Sequence, residues 1–314
     1  MTIEVRRYRA ELAGEWDRLV QNSRNGLFQF LRGYMDYHAD RFEDFSAMAY
    51  VGGDLAAVLP ASIDHETALA SSHGGLTFGG PLFRDDLRGE VALEVIDAML
   101  GALRTWGAKE LEVRLIPAFL ASYPSAETDY ALWRRGFELV RRDLSSALPL
   151  DKPLRPNSMR KRALAKGAKA GLQSGLGSIS QFHGLVTTVL ATRHGVEPVH
   201  SCKELELLQD RFPEHILLRT VQQDGEMLAG ILVYRYPTAW HTQYIAVSDE
   251  GRTAGALDVV IAGLIEEAST DGAAWLSFGT STTHGGRELN EGLLRQKESF
   301  GARSVTHDFM RGAL

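Results

Sequence analysis

The 314-residue sequence holds a single cysteine, Cys202. It can close no internal disulfide and build no thiolate zinc cage. It also lacks any uninterrupted apolar run near the roughly 18 residues that a membrane-spanning helix needs. The opening stretch, MTIEVRRYRAELAGEW, has no apolar core of the secretory-signal kind, so cytoplasmic is the expected location. Positive charge is in the minority: 34 Lys and Arg against 40 Asp and Glu give a net −6. That balance argues against indiscriminate binding to DNA or other nucleic acid, although a local basic patch is compatible with it. No His-x-x-x-His pair stands with acidic partners, so no metal site is expected. What is present, 44% hydrophobic and 24% charged residues, suits a soluble globular chain long enough for two domains.

The chain repeats itself. DRFEDFSAMAYVGGDLAAVLPA, from Asp40, parallels DRFPEHILLRTVQQDGEMLAGILVY, from Asp210. Both open on Asp-Arg-Phe and continue as an apolar strand, a Gly-Gly or Asp-Gly turn and a second strand. Such turns demand positive φ and are strong hairpin signals. A His-containing strand region follows in each copy (around His73 and His241), then an amphipathic helix ending in glycine. After that come a strand, a further helix and a last strand. Five agreements in one order at a nearly constant offset predict two copies of one α/β unit with mixed sheets. The expected segments are 1–152, a basic connection at 153–178 and 179–314. In the connection, Arg160, Lys161, Arg162, Lys166 and Lys169 fit either a solvated helix or a cationic rim beside an anionic substrate.

Strand, helix, hairpin, strand, glycine turn, helix, strand, helix, strand is not a doubly wound order. With the stretches YMDYHADRFEDFS, SHGGLTFGG, HTQYIAVSDEGRTAGALD and FGTSTTHGGRELNEGLLRQKESFGA, it resembles the GCN5-related N-acetyltransferase (GNAT) fold in tandem. The nearest likeness is to the FemAB-like acyltransferases, several of which serve cell-surface polysaccharides. The resemblance implies an acyl-CoA donor, acetyl-CoA above all, held by strand residues Ile245 and Val247 and by the turn Arg252, Thr253, Gly255 and Ala256. Exposed amides and a helix dipole at such a turn favour a phosphate. Leu257 fills a position the family keeps small, and Asp258 suits a cap better than a phosphate neighbour. In the C-terminal motif Asn290 and Gly301 match, while Lys297 stands where many acetyltransferases carry a tyrosine. A lysine there would protonate a leaving group or steady an oxyanion; the alternative is a solvated helix residue.

Direct acyl transfer needs no nucleophile, and no nucleophile elbow is found. His241 is a candidate general base, its alternative being a strand histidine bonded to backbone. Gln243 and Ser281 are candidate substrate contacts, whereas Tyr244 reads as core. In the first copy Tyr34, Tyr37, His38 and Arg41 recur at helical spacing, suited to a sugar or phosphate or to a packing seam, with His38 a second candidate base. Four glycines in SSHGGLTFGGP predict a strand that lets a ligand or the other domain come close, with Ser72, His73 and Gly79 lining it. His194 and His200 would flank the same cleft.

The favoured function is transfer of an acyl group from acyl-CoA to a small-molecule amine, an amino sugar or its nucleotide-linked form. The second half would hold the donor and the first half the acceptor, and a homodimer is possible. Two alternatives stand. One is a FemX-like transferase that takes an amino acid from aminoacyl-tRNA, which Lys297 favours. The other is a non-catalytic binding protein, suggested by Asp85 and Asp86 at the first copy's turn.

Overall fold

In the computed structural model residues 2–314 are described. The chain divides into two compact units. The first holds residues up to Asp143 together with His284–Arg287 and Thr306–Leu314; the second holds Leu144–Thr283 and Glu288–Val305. Segment 153–178 thus lies within the second unit, and the end of the chain within the first. No helix among the described residues is long and apolar enough to cross a membrane.

The repeat in the sequence is a repeat in structure. Each unit has a hairpin turned on two residues of positive φ: Gly52 and Gly53 between Ala47–Val51 and Asp54–Leu59, Asp224 and Gly225 between Ile216–Gln223 and Glu226–Arg235. Each has a long crossover helix, Gly89–Thr105 or Ala256–Thr270, with an apolar stripe at helical spacing. In the first unit that stripe (Val95, Met99, Leu103) packs in a core with Phe45, Phe83 and Val113. In the second, Val260, Ile261 and Leu264 pack with Ile231, Val233 and Leu276.

Most strand pairs are antiparallel. The crossover joins the parallel ones: Leu69–Ser71 with Glu110–Arg114, and Ala239–Val247 with Trp275–Thr280. In the second unit this pairing ends early. Ala239, Trp240 and His241 face Trp275, Leu276 and Ser277, and the register stops there although Ala239–Val247 runs on.

SSHGGLTFGGP does not form the single strand expected of it. After Leu69–Ser71 the chain turns at His73, a non-glycine residue with φ +69°, and strand structure resumes only at Leu82–Phe83. Its glycines admit groups of the same unit: a Cβ at Gly75 would stand 2.2 Å from His38 Nε2, and one at Gly79 2.2 Å from the Ser72 carbonyl oxygen.

The second unit's helix Ser158–Lys169, capped by Asn157 Oδ1 on the Arg160 amide, lies across the start of Ala256–Thr270. The contact is close because two glycines permit it. Gly167 presses on Val259, and a Cβ at Gly255 (φ +83°) would fall 2.3 Å from the Ala163 carbonyl oxygen. A Gly255→Ala change faces both left-handed strain and this clash, so urea unfolding is expected to show a loss of at least about 2 kcal/mol. A stability equal to that of the parent would contradict the packing.

Candidate active site

The site is built where the two parallel strands of the second unit part. His241, the last residue of Ala239–Val247 paired on that side, engages Ser277 Oγ through Nδ1 at 2.9 Å, which fixes the ring. Gly279 follows with φ +67°, leaving His241 Cε1 3.4 Å from where its Cβ would be. Its carbonyl and that of Thr280 accept hydrogen bonds from Lys297 Nζ, the first at 2.8 Å. Lys297 comes from the helix Glu291–Ser299, whose first turn is capped by Asn290 Oδ1 on the Leu293 amide. Lys297 is only 5% exposed, and burial pulls its pKa down to about 8. His241, Gly279 and Lys297 therefore form one group, although Lys297 is 56 residues from His241 in sequence.

At the far end of the strand Ala239–Val247, Val247 borders a cavity of about 340 Å³. Val247, Arg252, Arg295, Gln296 and Asn157 line it, with Arg160 and Asp258 on its wall. Arg160 is fixed three ways: Nε donates to Ser299 Oγ at 2.8 Å, Nη1 stands 3.4 Å from the Asp258 carboxylate, and the guanidinium lies 4.1 Å over the Phe300 ring. Arg252 keeps its positive charge here, although partial burial and the nearby Arg193 lower its pKa. Arg252 and Arg295 both line this polar hollow, Arg295 also pairing with Glu291 on its own helix, and arginines can hold a phosphate or carboxylate by charge-assisted bonds.

The glycine turn borders this hollow only in part. Arg252 is in a six-residue helix, Asp249–Ala254, and Gly255 and Ala256 are buried beneath Ser158–Lys169. Asp258, at the third helical position, is buried against Arg160, and burial raises its pKa despite the ion pair. Leu257 and Asp258, the next two residues of the helix, line the same cavity as Arg252 and Arg295, so the start of the helix borders the hollow.

The other expected residues are placed as follows. Val247 and Arg252 share the cavity, whereas Ile245 packs toward the core and Thr253 bonds back to Asp249 on the helix surface. Gln243 is the extra residue of a β-bulge, since Val233 pairs with Thr242 and Leu232 with Tyr244. The bulge breaks the alternation that would have put Gln243 on His241's face. Tyr244 is no plain core residue; its hydroxyl meets His200 Nδ1 at 2.7 Å. The side chain of His194 lies outside the described residues. Ser281 is buried, its backbone bonded to Leu144 and Asn290.

In the first unit, Tyr34, Tyr37, His38 and Phe42 do gather with His73. The Tyr37 and His38 rings lie 4.2 Å apart and the two histidines stack at 5.0 Å. Both histidines are buried, and desolvation lowers both pKa values, that of His73 to about 3. The nitrogens of His38 face the backbone of Gly75 and Met35 without regular hydrogen bonds. This is a neutral packed cluster. Arg41, exposed, lies over Tyr37 and beside Asp40. Ser72 Oγ accepts the Arg114 amide and abuts Gly79. What sequence reasoning missed is the arginine pocket: Arg295, five residues after Asn290 on the same helix, carried the signal.

With this geometry in view, comparison with known proteins is informative. Residues 158–286 match the acetyltransferase (GNAT) domain family. No curated protein sequence matches the chain. Among solved structures it is similar to FemX, with TM-score 0.70 at 12% identity over 99% of this chain and 97% of that one. It is also similar to L-PGS from Bacillus licheniformis (TM-score 0.62, 12% identity, 97% and 92% coverage). A tandem GNAT protein from the clavulanic acid biosynthesis pathway matches at TM-score 0.54 and 12% identity, over 99% of this chain and 98% of that one. The fold is that of two GNAT-like units in tandem, as the sequence led one to expect.

The depressed Lys297 pKa has a thermodynamic signature. The unfolded chain binds the lysine's proton up to about pH 10.5 and the folded one only to about 8, so stability rises with pH between these values. The gain is about 3 kcal/mol at 1.36 kcal/mol per unit. Lys297→Met should lack it, as measured by denaturant unfolding of both proteins at pH 7.5 and 10.5. Equal pH dependence in the two would contradict the burial of a titrating amine.

Proposed function

We propose that the chain is an N-acyltransferase that passes an acyl group directly from a phosphate-bearing carrier to a primary amine at the His241–Gly279–Lys297 group. The observation that carries this reading is Lys297, a buried amine with a pKa near 8 at the edge where the parallel strands separate. His241, its ring oriented by Ser277, takes the proton of the attacking amine. Backbone groups on the unpaired edge beyond His241 steady the tetrahedral oxyanion. Lys297, as an ammonium below pH 8, protonates the departing atom of the carrier. The bond formed is the amide C–N; the bond broken joins the acyl carbon to the carrier's sulfur or oxygen.

Arg252 and Arg295 would bind the carrier's phosphate. Acyl-CoA is the carrier to which the domain match points. A second reading is an aminoacyl ester of RNA, which the packing of Gly255 against the Ala163 carbonyl supports, since that glycine is not open to a pyrophosphate. An amino sugar, free or nucleotide-linked, is the acceptor class to try first.

The experiment offers the protein acetyl-CoA or an aminoacylated RNA stem, with a panel of amines, and detects amide products by mass spectrometry. Product from either donor supports the reading, and failure with both overturns it. With the working pair, Lys297→Met and His241→Ala should each lower kcat by 10²-fold or more. The kcat of the parent should fall as pH rises through about 8, because the ammonium form is lost there. Arg252→Glu should raise the donor KM more than it lowers kcat. A Lys297→Met variant of undiminished kcat would remove the lysine from the chemistry.

A further inference from the structure

The helix Ser158–Lys169 borders a second hollow that acyl transfer does not use. With the preceding residues 153–156 and the flank of Ala256–Thr270, it encloses a groove of about 310 Å³. The lining is chiefly apolar, from Leu148, Leu154, Leu164, Ile261, Ile265 and Phe300. Arg155 and Lys161 stand beside them, and the single carboxylate in the lining, Asp258, is already paired with Arg160. We propose that this face docks on an anionic lipid bilayer and that the groove receives one acyl chain of an anionic phospholipid.

Three observations support that occupant. The helix carries Arg160, Lys161, Arg162, Lys166 and Lys169 and no acid, in a chain of net charge −6. Among the described residues, Arg155, Lys161, Arg162, Lys166 and Lys169 have no carboxylate partner. Finally, Leu154 and Leu164 of the groove are 40% and 36% exposed beside these cations. Cations with exposed apolar side chains around them are what a helix lying in a membrane interface presents. RNA would satisfy the charge and leave the groove unfilled. Single-stranded RNA would also seek exposed aromatic rings for stacking, and the groove's one aromatic residue, Phe300, is buried.

The test is co-sedimentation of the full chain with vesicles of phosphatidylcholine alone and with roughly one third phosphatidylglycerol. Binding to the second and not the first is expected. At about fivefold per surface charge, Arg155→Gln with Lys161→Gln should weaken it roughly 25-fold. Leu164→Asn, at a half-exposed position, should keep the parent's melting temperature and weaken binding at least fivefold while the charges stay in place. Four results would overturn the proposal: no vesicle binding, equal binding to neutral vesicles, insensitivity to Leu164→Asn, or an RNA stem bound with the same variant sensitivities in place of vesicles.

Discussion

The second unit depends on where one ladder stops. Ala239–Val247 and Trp275–Thr280 pair in parallel for three residues and then part at His241–Ser277. Parallel strands joined by a crossover helix would ordinarily continue as neighbours. Here a bulge at Gln243 on one strand and Gly279 (φ +67°) on the other turn them apart. Separation leaves backbone groups that must be satisfied or used. Lys297 takes up two of the carbonyls, and the cost of keeping its ammonium in a buried place appears as a pKa near 8. Structural closure and chemical readiness thus arise from the same contact.

The helix Ser158–Lys169 changes what such a unit can bind. It packs on Gly255 and places Arg160 between Asp258, Ser299 and Phe300, on the wall of the cavity that Arg252, Leu257 and Arg295 line. Its outer surface stays cationic and partly apolar. One element therefore closes a turn, walls a polar cavity and borders an apolar groove.

Much of this was legible in the sequence. Hairpins announced themselves as Gly-Gly and Asp-Gly because positive φ restricts the choice of residue. Crossover helices showed as apolar stripes, and duplication showed as order. Lys297 stood out only by its offset from Asn290 and Gly301, whereas its burial depends on the Gly279 and Thr280 carbonyls, a tertiary fact. Arg160 and Gly255 were visible as a basic residue and a turn glycine; that one helix would roof the other cannot be inferred from either stretch alone. The glycines of SSHGGLTFGGP were expected to admit a ligand or the other domain, whereas His38 and Ser72 of the same unit are the groups that press on them, which spacing could not show. For His38 and His73, polarity in the sequence suggested a binding face, and desolvation in the fold makes them a neutral packed stack.

The central claim, that Lys297 meets the acyl donor as a titrating amine, is most directly tested by NMR of the protein carrying ¹³C-dimethylated lysines, with Lys297→Arg assigning the signal. One lysine is expected to titrate near pH 8, with a shift that moves when a donor analogue is added. A Lys297 signal that titrates near 10.5 and ignores every donor would contradict it.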